Sequence, residues 1–360
     1  MANSFYQTPT TPKLYVSYPL WQYANGKLDD LAANFAGWSE DTMIKLIQLD
    51  PSNISALDVV VAQHNVMRYG TLPVEDITTD IFDSNLWNFD FCGILGHNLA
   101  SVGAYVKIQC ASVDETISNI DTSGIVNYSH DTVSEYDGWS LFNLDNLPAN
   151  GDQSRFRFCI KSPQGVPYWS DSPLNVGSIF WGKSFTFPQS CNLSTSLTYD
   201  YGVKQKQTVG GKTISTANWT KPNNWITEPF GLTSPNSEPL NNWQRRSGRR
   251  TWKISFDSLQ PQYVMNQNPM LNSNGWDYNF DNYTTQADGT TSEYNINNST
   301  DFFTSIVQRT MGGHLPMVLQ INKDDNSPHN FAIVRMDKNY TVNQKSPNLY
   351  NIKLTLIEQI

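Results

Sequence analysis

Charge is scarce in this chain. Asp, Glu, Lys and Arg make up 16% of its 360 residues, against about 25% in ordinary globular domains. The charge present leans negative, 33 acidic against 24 basic residues for a net of −9. That balance argues against a general affinity for nucleic acid or anionic membrane surfaces, so neither is an expected partner. Cysteine is equally sparse. Cys92, Cys110, Cys159 and Cys191 form no Cys-x-x-Cys pair, which leaves buried free thiols as the expectation rather than disulfides or metal ligands. No apolar run approaches the roughly 18 residues that span a bilayer. Met1-Ala-Asn-Ser-Phe-Tyr-Gln7 lacks the basic and apolar regions of an export signal. The expectation is a soluble chain without membrane insertion, made and assembled in a cytoplasm. His-Glu-x-x-His, Gly-x-Ser-x-Gly and phosphate-binding loop signatures are absent too. No catalytic residue, cofactor or resident metal is therefore expected, and the chain does not read as an enzyme.

What the chain has in quantity is aromatic and uncharged polar residues. Trp, Tyr and Phe reach 12%, and most of the polarity comes from Asn, Ser, Thr and Gln, a mixture suited to strands and polar loops. The apolar residues repeat mostly at a period of two. Trp252, Ile254 and Phe256 alternate with Lys253, Ser255 and Asp257, and Tyr350, Ile352, Leu354 and Leu356 alternate with polar neighbours. Val106, Ile108 and Cys110 follow the same pattern, as do Phe156, Phe158 and Ile160. Such alternation predicts strands with one buried and one wet face. The closing segment Tyr350–Ile360 reads as a strand with no solvated tail.

Helix is expected to be the minority element. Phe302, Phe303, Ile306, Val307 and Met311 recur at helical spacing, Ser299 or Thr300 can cap the segment, and Gly312-Gly313 can end it. A shorter helix is expected after Ser39. The fold class is all-β, with two sandwich- or barrel-like domains over residues 1–183 and 184–360 and one or two short helices, one of them near 301–311. The boundary falls between Gly182 and Pro188, where one strand-like run ends and Ser184-Phe-Thr-Phe187 opens another. Residues 1–84 have no firm assignment, although Lys13-Leu-Tyr-Val16 reads as a strand that could complete either sheet.

Two long polar stretches, 205–245 and 260–300, carry Trp219, Trp225, Trp243, Trp276 and Tyr278. Loops of that length in compact domains usually contact something, and aromatic side chains suit protein interfaces. The alternative is that the rings fold back as loop cores. Arg245, Arg246, Arg249 and Arg250 form the one concentrated positive patch. They could pair with carboxylates of a neighbouring subunit, touch DNA in a tube lumen, or be neutralised by the chain's own acidic side chains. His97 and Asn98 sit in a tight Gly96-His97-Asn98-Leu99 connection, where a structural role is expected over catalysis. Asp277, Asn279 and Asp281 have the alternating oxygens of a calcium loop but not its glycine and distal Glu.

Taken in order, Gly96-His97-Asn98-Leu99, Arg155-Phe-Arg157, Val176–Gly182, Tyr199-Asp-Tyr-Gly202, Gly210-Gly211, Arg249-Arg250-Thr-Trp252 and Glu358-Gln359 resemble a family of tail and baseplate proteins of tailed bacteriophages, of the distal-tail type. The resemblance covers roughly residues 85–360. The first domain is also similar to the discoidin-type, galactose-binding jelly roll. These likenesses imply a structural virion protein of the tail or baseplate that assembles with itself in a ring and with other tail proteins. The alternative they imply is a glycan-binding adhesin for the host surface, with Trp139 and Trp169 as candidate sugar-stacking residues.

Overall fold

The computed structural model describes residues 10–24, 40–51, 53–57, 63–69, 90–111, 128–133, 137–143, 155–161, 174–217, 248–264, 284–285, 291–292, 301–327, 330–337 and 340–359. The architecture is all-β and antiparallel, with a few short helices. One large sheet of eight strands dominates. Its path runs through Ser184–Thr186, Lys13–Tyr15, Met317–Gln320, Phe331–Met336, Leu349–Glu358, Arg249–Leu259 and Ser196–Asp200, with Thr341–Ser346 paired alongside Leu349–Glu358.

The alternating runs behave as their period demands. Trp252 lies opposite Leu356, Ile254 opposite Leu354 and Phe256 opposite Ile352, and all six are buried while Lys253 and Lys353 face water. Cross-strand apolar pairs of this kind are the unit of sheet stabilisation. Their shared face joins a core that includes Phe185, Phe187, Phe302 and Ile306, within which the Phe187 and Phe256 rings stack at 3.8 Å.

The other end of the large sheet is buried on both faces. Leu14 and Val16 enter the core just described, whereas Tyr15 between them enters a second one with Phe91, Trp139, Phe180 and Phe331. Met317 and Leu319 divide from Val318 in the same way, and Ala332 and Val334 from Phe331 and Ile333. The second core is closed from above by a three-stranded sheet of Ser178–Gly182, Phe91–Leu95 and Trp139–Asn143. A four-stranded sheet of Gln63–Tyr69, Arg155–Lys161, Tyr105–Ala111 and Tyr128–Val133 belongs to the same half of the chain.

These pairings alter the expected division into 1–183 and 184–360. The chain does change sheets at Lys183, between Ser178–Gly182 and Ser184–Thr186. Strand Lys13–Tyr15, however, lies between Ser184–Thr186 and Met317–Gln320, in register with both. The early segment thus completes the sheet of the later half. The physical reason is burial: Leu14, Tyr15 and Val16 are all apolar, which suits an interior strand covered on both sides rather than an edge.

The late helix also departs from expectation. Phe303–Gln308 forms a π-helical turn, and the Thr304 amide donates to Asp301 Oδ1 at 2.8 Å, so Asp301 takes the capping role expected of Ser299 or Thr300. Met311 adopts a left-handed φ of 53° and Gly312 and Gly313 follow at 72° and 91°. The chain therefore turns away before Met311 can join the apolar face, and its side chain is exposed. The helix expected after Ser39 is present as Glu40–Ile47, with Leu46 and Ile47 buried. No helix among the described residues is long and apolar enough to cross a membrane.

Candidate functional site: the arginine strand and an exposed hairpin

Arg249 and Arg250 open the long strand Arg249–Leu259, directly opposite Asp200 and Tyr199. Gly248 precedes them with φ 71°, and a Cβ there would stand 2.9 Å from the Asp200 carbonyl oxygen. Glycine is thus required for the strand to begin this close to its neighbour. The Arg250 guanidinium donates from Nη2 and Nε to Glu358 Oε1 at 2.5 and 2.9 Å, and the Arg250 amide donates to Glu358 Oε2 at 2.9 Å. Its Cζ lies 4.9 Å from the Trp252 ring centroid. Arg249 Nε donates to the Glu358 carbonyl at 2.6 Å.

Of the three roles open to the arginine cluster, the structure assigns Arg250 to the chain's own carboxylate. Arg249 is likewise engaged with the final strand, through its Nε, while remaining partly exposed. The reason is register: Thr251 faces Ile357, which sets Arg250 beside Glu358. Arg245 and Arg246 lie outside the described residues, as do Trp219, Trp225, Trp243, Trp276, Tyr278, Trp169, Asp277, Asn279 and Asp281.

Trp139, read as a candidate sugar contact, is a core residue. It is 5% exposed, and its ring packs 4.5 Å from that of Phe331. A sugar-stacking tryptophan needs an open face, and this one has none.

His97 sits just beyond strand Phe91–Leu95 and is fully buried. Its Nδ1 accepts from the Leu99 amide at 3.2 Å, and its Nε2 lies 2.9 Å from Ser140 Oγ. A serine beside an imidazole invites a nucleophile–base reading. The Leu99 bond decides against it. An acceptor Nδ1 leaves the proton of the neutral ring on Nε2, so His97 donates towards Ser140 instead of drawing its proton. Burial also pulls the imidazole down to about 3, partly offset by a bond involving the Trp139 backbone. Asn98 completes the corner by accepting from the Asn175 amide at 2.8 Å through its side chain.

A second polar cluster lies where the chain passes between sheets at Lys183. The fully buried Arg309 places its guanidinium 4.7 Å from the Tyr18 ring centroid. Burial pushes the Tyr18 hydroxyl up to about 12. Burial also lowers the Lys183 ammonium, with repulsion from Arg309 acting in the same direction. Asp90 accepts from the Ser184 amide and hydroxyl, both at 2.7 Å, although burial still raises its carboxyl. The cluster ties the chain crossing to both sheets.

The feature that sequence reasoning missed overlaps the start of a stretch read as a polar loop. Val203–Gln207 and Thr213–Ala217 pair as an antiparallel hairpin, and every residue from Val203 to Thr216 is exposed. The available signal was Gly210-Gly211 flanked by segments rich in Val, Ile and Thr, a hairpin pattern. No protein-family model, no curated protein and no solved structure matches this chain.

Proposed function

We propose that this chain is a structural virion protein of a bacteriophage tail, located at the distal tail or baseplate and assembling there as a ring. The observation that carries the reading is the ordered set of motifs from Gly96-His97 to Glu358-Gln359. Several of those motifs serve as structural joints. Gly96–Leu99 is the corner beside Ser140 and Asn175, Ser178–Gly182 leads into the sheet change at Lys183, and Arg250 and Glu358 clasp adjacent strands. A protein whose characteristic residues hold sheets together suits mechanical load, and a projecting hairpin suits contact with neighbours. Its work is assembly and force transmission rather than turnover. The glycan-binding alternative keeps Trp169 but loses Trp139 to the core.

The test is cryo-EM of purified tailed particles, with mass spectrometry to identify this chain among their proteins. The expected result is a symmetric ring at the tail end. Absence of the chain from particles would overturn the proposal, and peripheral density with residues 1–183 free at a tip would favour the adhesin.

A further inference from the structure

The hairpin formed by Val203–Gln207 and Thr213–Ala217 has no support from the cores among the described residues: none of its residues joins either one. An isolated two-stranded hairpin is at best marginally stable in water. Its tip is nevertheless well defined. Thr208 and Lys212 exchange bonds, the Thr208 amide donating to the Lys212 carbonyl at 2.8 Å and the Lys212 amide to Thr208 Oγ1 at 3.1 Å. Gly211 takes a left-handed φ of 82° and donates back to the Thr208 carbonyl at 2.9 Å. This closed turn holds Val209 clear of the other described residues, at 111% of its reference exposure.

The strands add a patterned face. Lys206 stands opposite Ile214 and Lys204 opposite Thr216, which places two ammonium groups and an exposed isoleucine on one side. The base is anchored where Gly202 donates to Asp200 Oδ1 at 2.7 Å. Exposed Tyr199 and Tyr201 flank that anchor.

We propose that this hairpin is a docking arm that seats on the acidic body of a second copy of the chain. Charge favours that occupant. Residues 203–217 contain Lys204, Lys206 and Lys212 and no carboxylate, and removing their three positive charges from the chain's −9 leaves −12 on the rest. A cationic arm on an acidic body meets its complement in another copy, and opposite potentials steer and orient such contacts. A patch that binds a different surface of the same molecule is a heterologous contact, which closes into a ring where the rotation between copies closes and otherwise extends as a filament. Nucleic acid fits less well, because the arm has no aromatic side chain on which bases could stack and the acidic body repels phosphate. The inference rests on the ring-forming reading above only for the statement that copies associate.

The test compares the purified full chain with Val209→Asp and with the triple variant K204E/K206E/K212E. Sedimentation and native mass spectrometry would be run over about 1 to 100 μM, the range of weak protein contacts. Unchanged circular dichroism and melting would establish that the variants fold. The expected result is salt-sensitive self-association of the wild type, weakened about tenfold or more in each variant. A photo-crosslinking residue at position 209 should then join two copies of this chain. Variants that associate as the wild type does would overturn the arm and leave the ring intact. A wild type that stays monomeric throughout would overturn the arm and remove self-association from the functional reading. Binding of labelled DNA that the triple variant alone abolishes, with association unchanged, would assign the arm to nucleic acid and overturn the proposal.

Discussion

Arg250 and Glu358 lie 108 positions apart and meet at 2.5 Å between adjacent antiparallel strands, with the Glu358 side chain almost wholly buried. Each carboxylate oxygen accepts from Arg250, one from the guanidinium and one from the amide. Such a pair is costly to break singly, because the survivor is left charged without its counter-ion.

Arg250→Met is therefore expected to cost about 2 to 4 kcal/mol, below the upper end for buried pairs because the arginine keeps some solvent contact. The double variant R250M/E358L should recover much of that loss. Denaturant titrations of the four proteins in this cycle measure both effects. A single variant with the wild-type midpoint would show that the pair contributes nothing.

The buried imidazole of His97 predicts an acid dependence. Its folded value of about 3 lies below the ordinary 6.5, so the unfolded chain binds the extra proton first. The associated stability is complete above 6.5, is lost progressively as pH falls, and reaches a loss of about 2 kcal/mol at pH 5. Asp90 acts in the opposite sense, since burial raises its carboxyl and protonation then favours the folded state. Comparing the pH profile with that of His97→Gln isolates the histidine. Parallel profiles between pH 6.5 and 4 would refute the assignment.

Two glycines should respond in opposite ways to alanine. A Cβ on Gly93 would stand 2.4 Å from the Phe180 ring, and crowding of this kind in a packed core costs about 1 to 3 kcal/mol. A Cβ on Gly210 meets nothing within 4 Å, so Gly210→Ala should leave stability unchanged or raise it by up to about 1 kcal/mol. Thermal melts of the two variants check the contrast, and equal shifts would contradict it.

The strand Lys13–Tyr15 predicts how the chain can be divided. Its neighbours are Ser184–Thr186 and Met317–Gln320, and the Tyr15 hydroxyl donates to Gln320 Oε1 at 2.6 Å. Residues 184–360 expressed alone should lack that interior strand and expose the apolar faces beside it. Broad, weakly cooperative unfolding with dye binding is expected, and adding a peptide of residues 10–24 should restore a sharp transition. Sharp unfolding of residues 184–360 by themselves would show that they form an independent domain.

Local pattern determined much of this protein. The alternation of Trp252, Ile254 and Phe256 with polar neighbours specified a half-buried strand, and that of Ile352, Leu354 and Leu356 specified its partner, because a period of two admits only one buried face. The all-β class was legible in the same way. Tertiary structure alone decided which strands became neighbours. The triplet around Leu14 announces a strand but not its place between residues 184–186 and 317–320, since pairing depends on cores assembled from residues hundreds of positions apart. Register likewise brought Glu358 to Arg250, and packing turned Trp139 inward onto Phe331. Composition lists the charges and rings that a chain carries; whether each is enclosed by the fold or presented outside it follows only from what the folded chain places beside it.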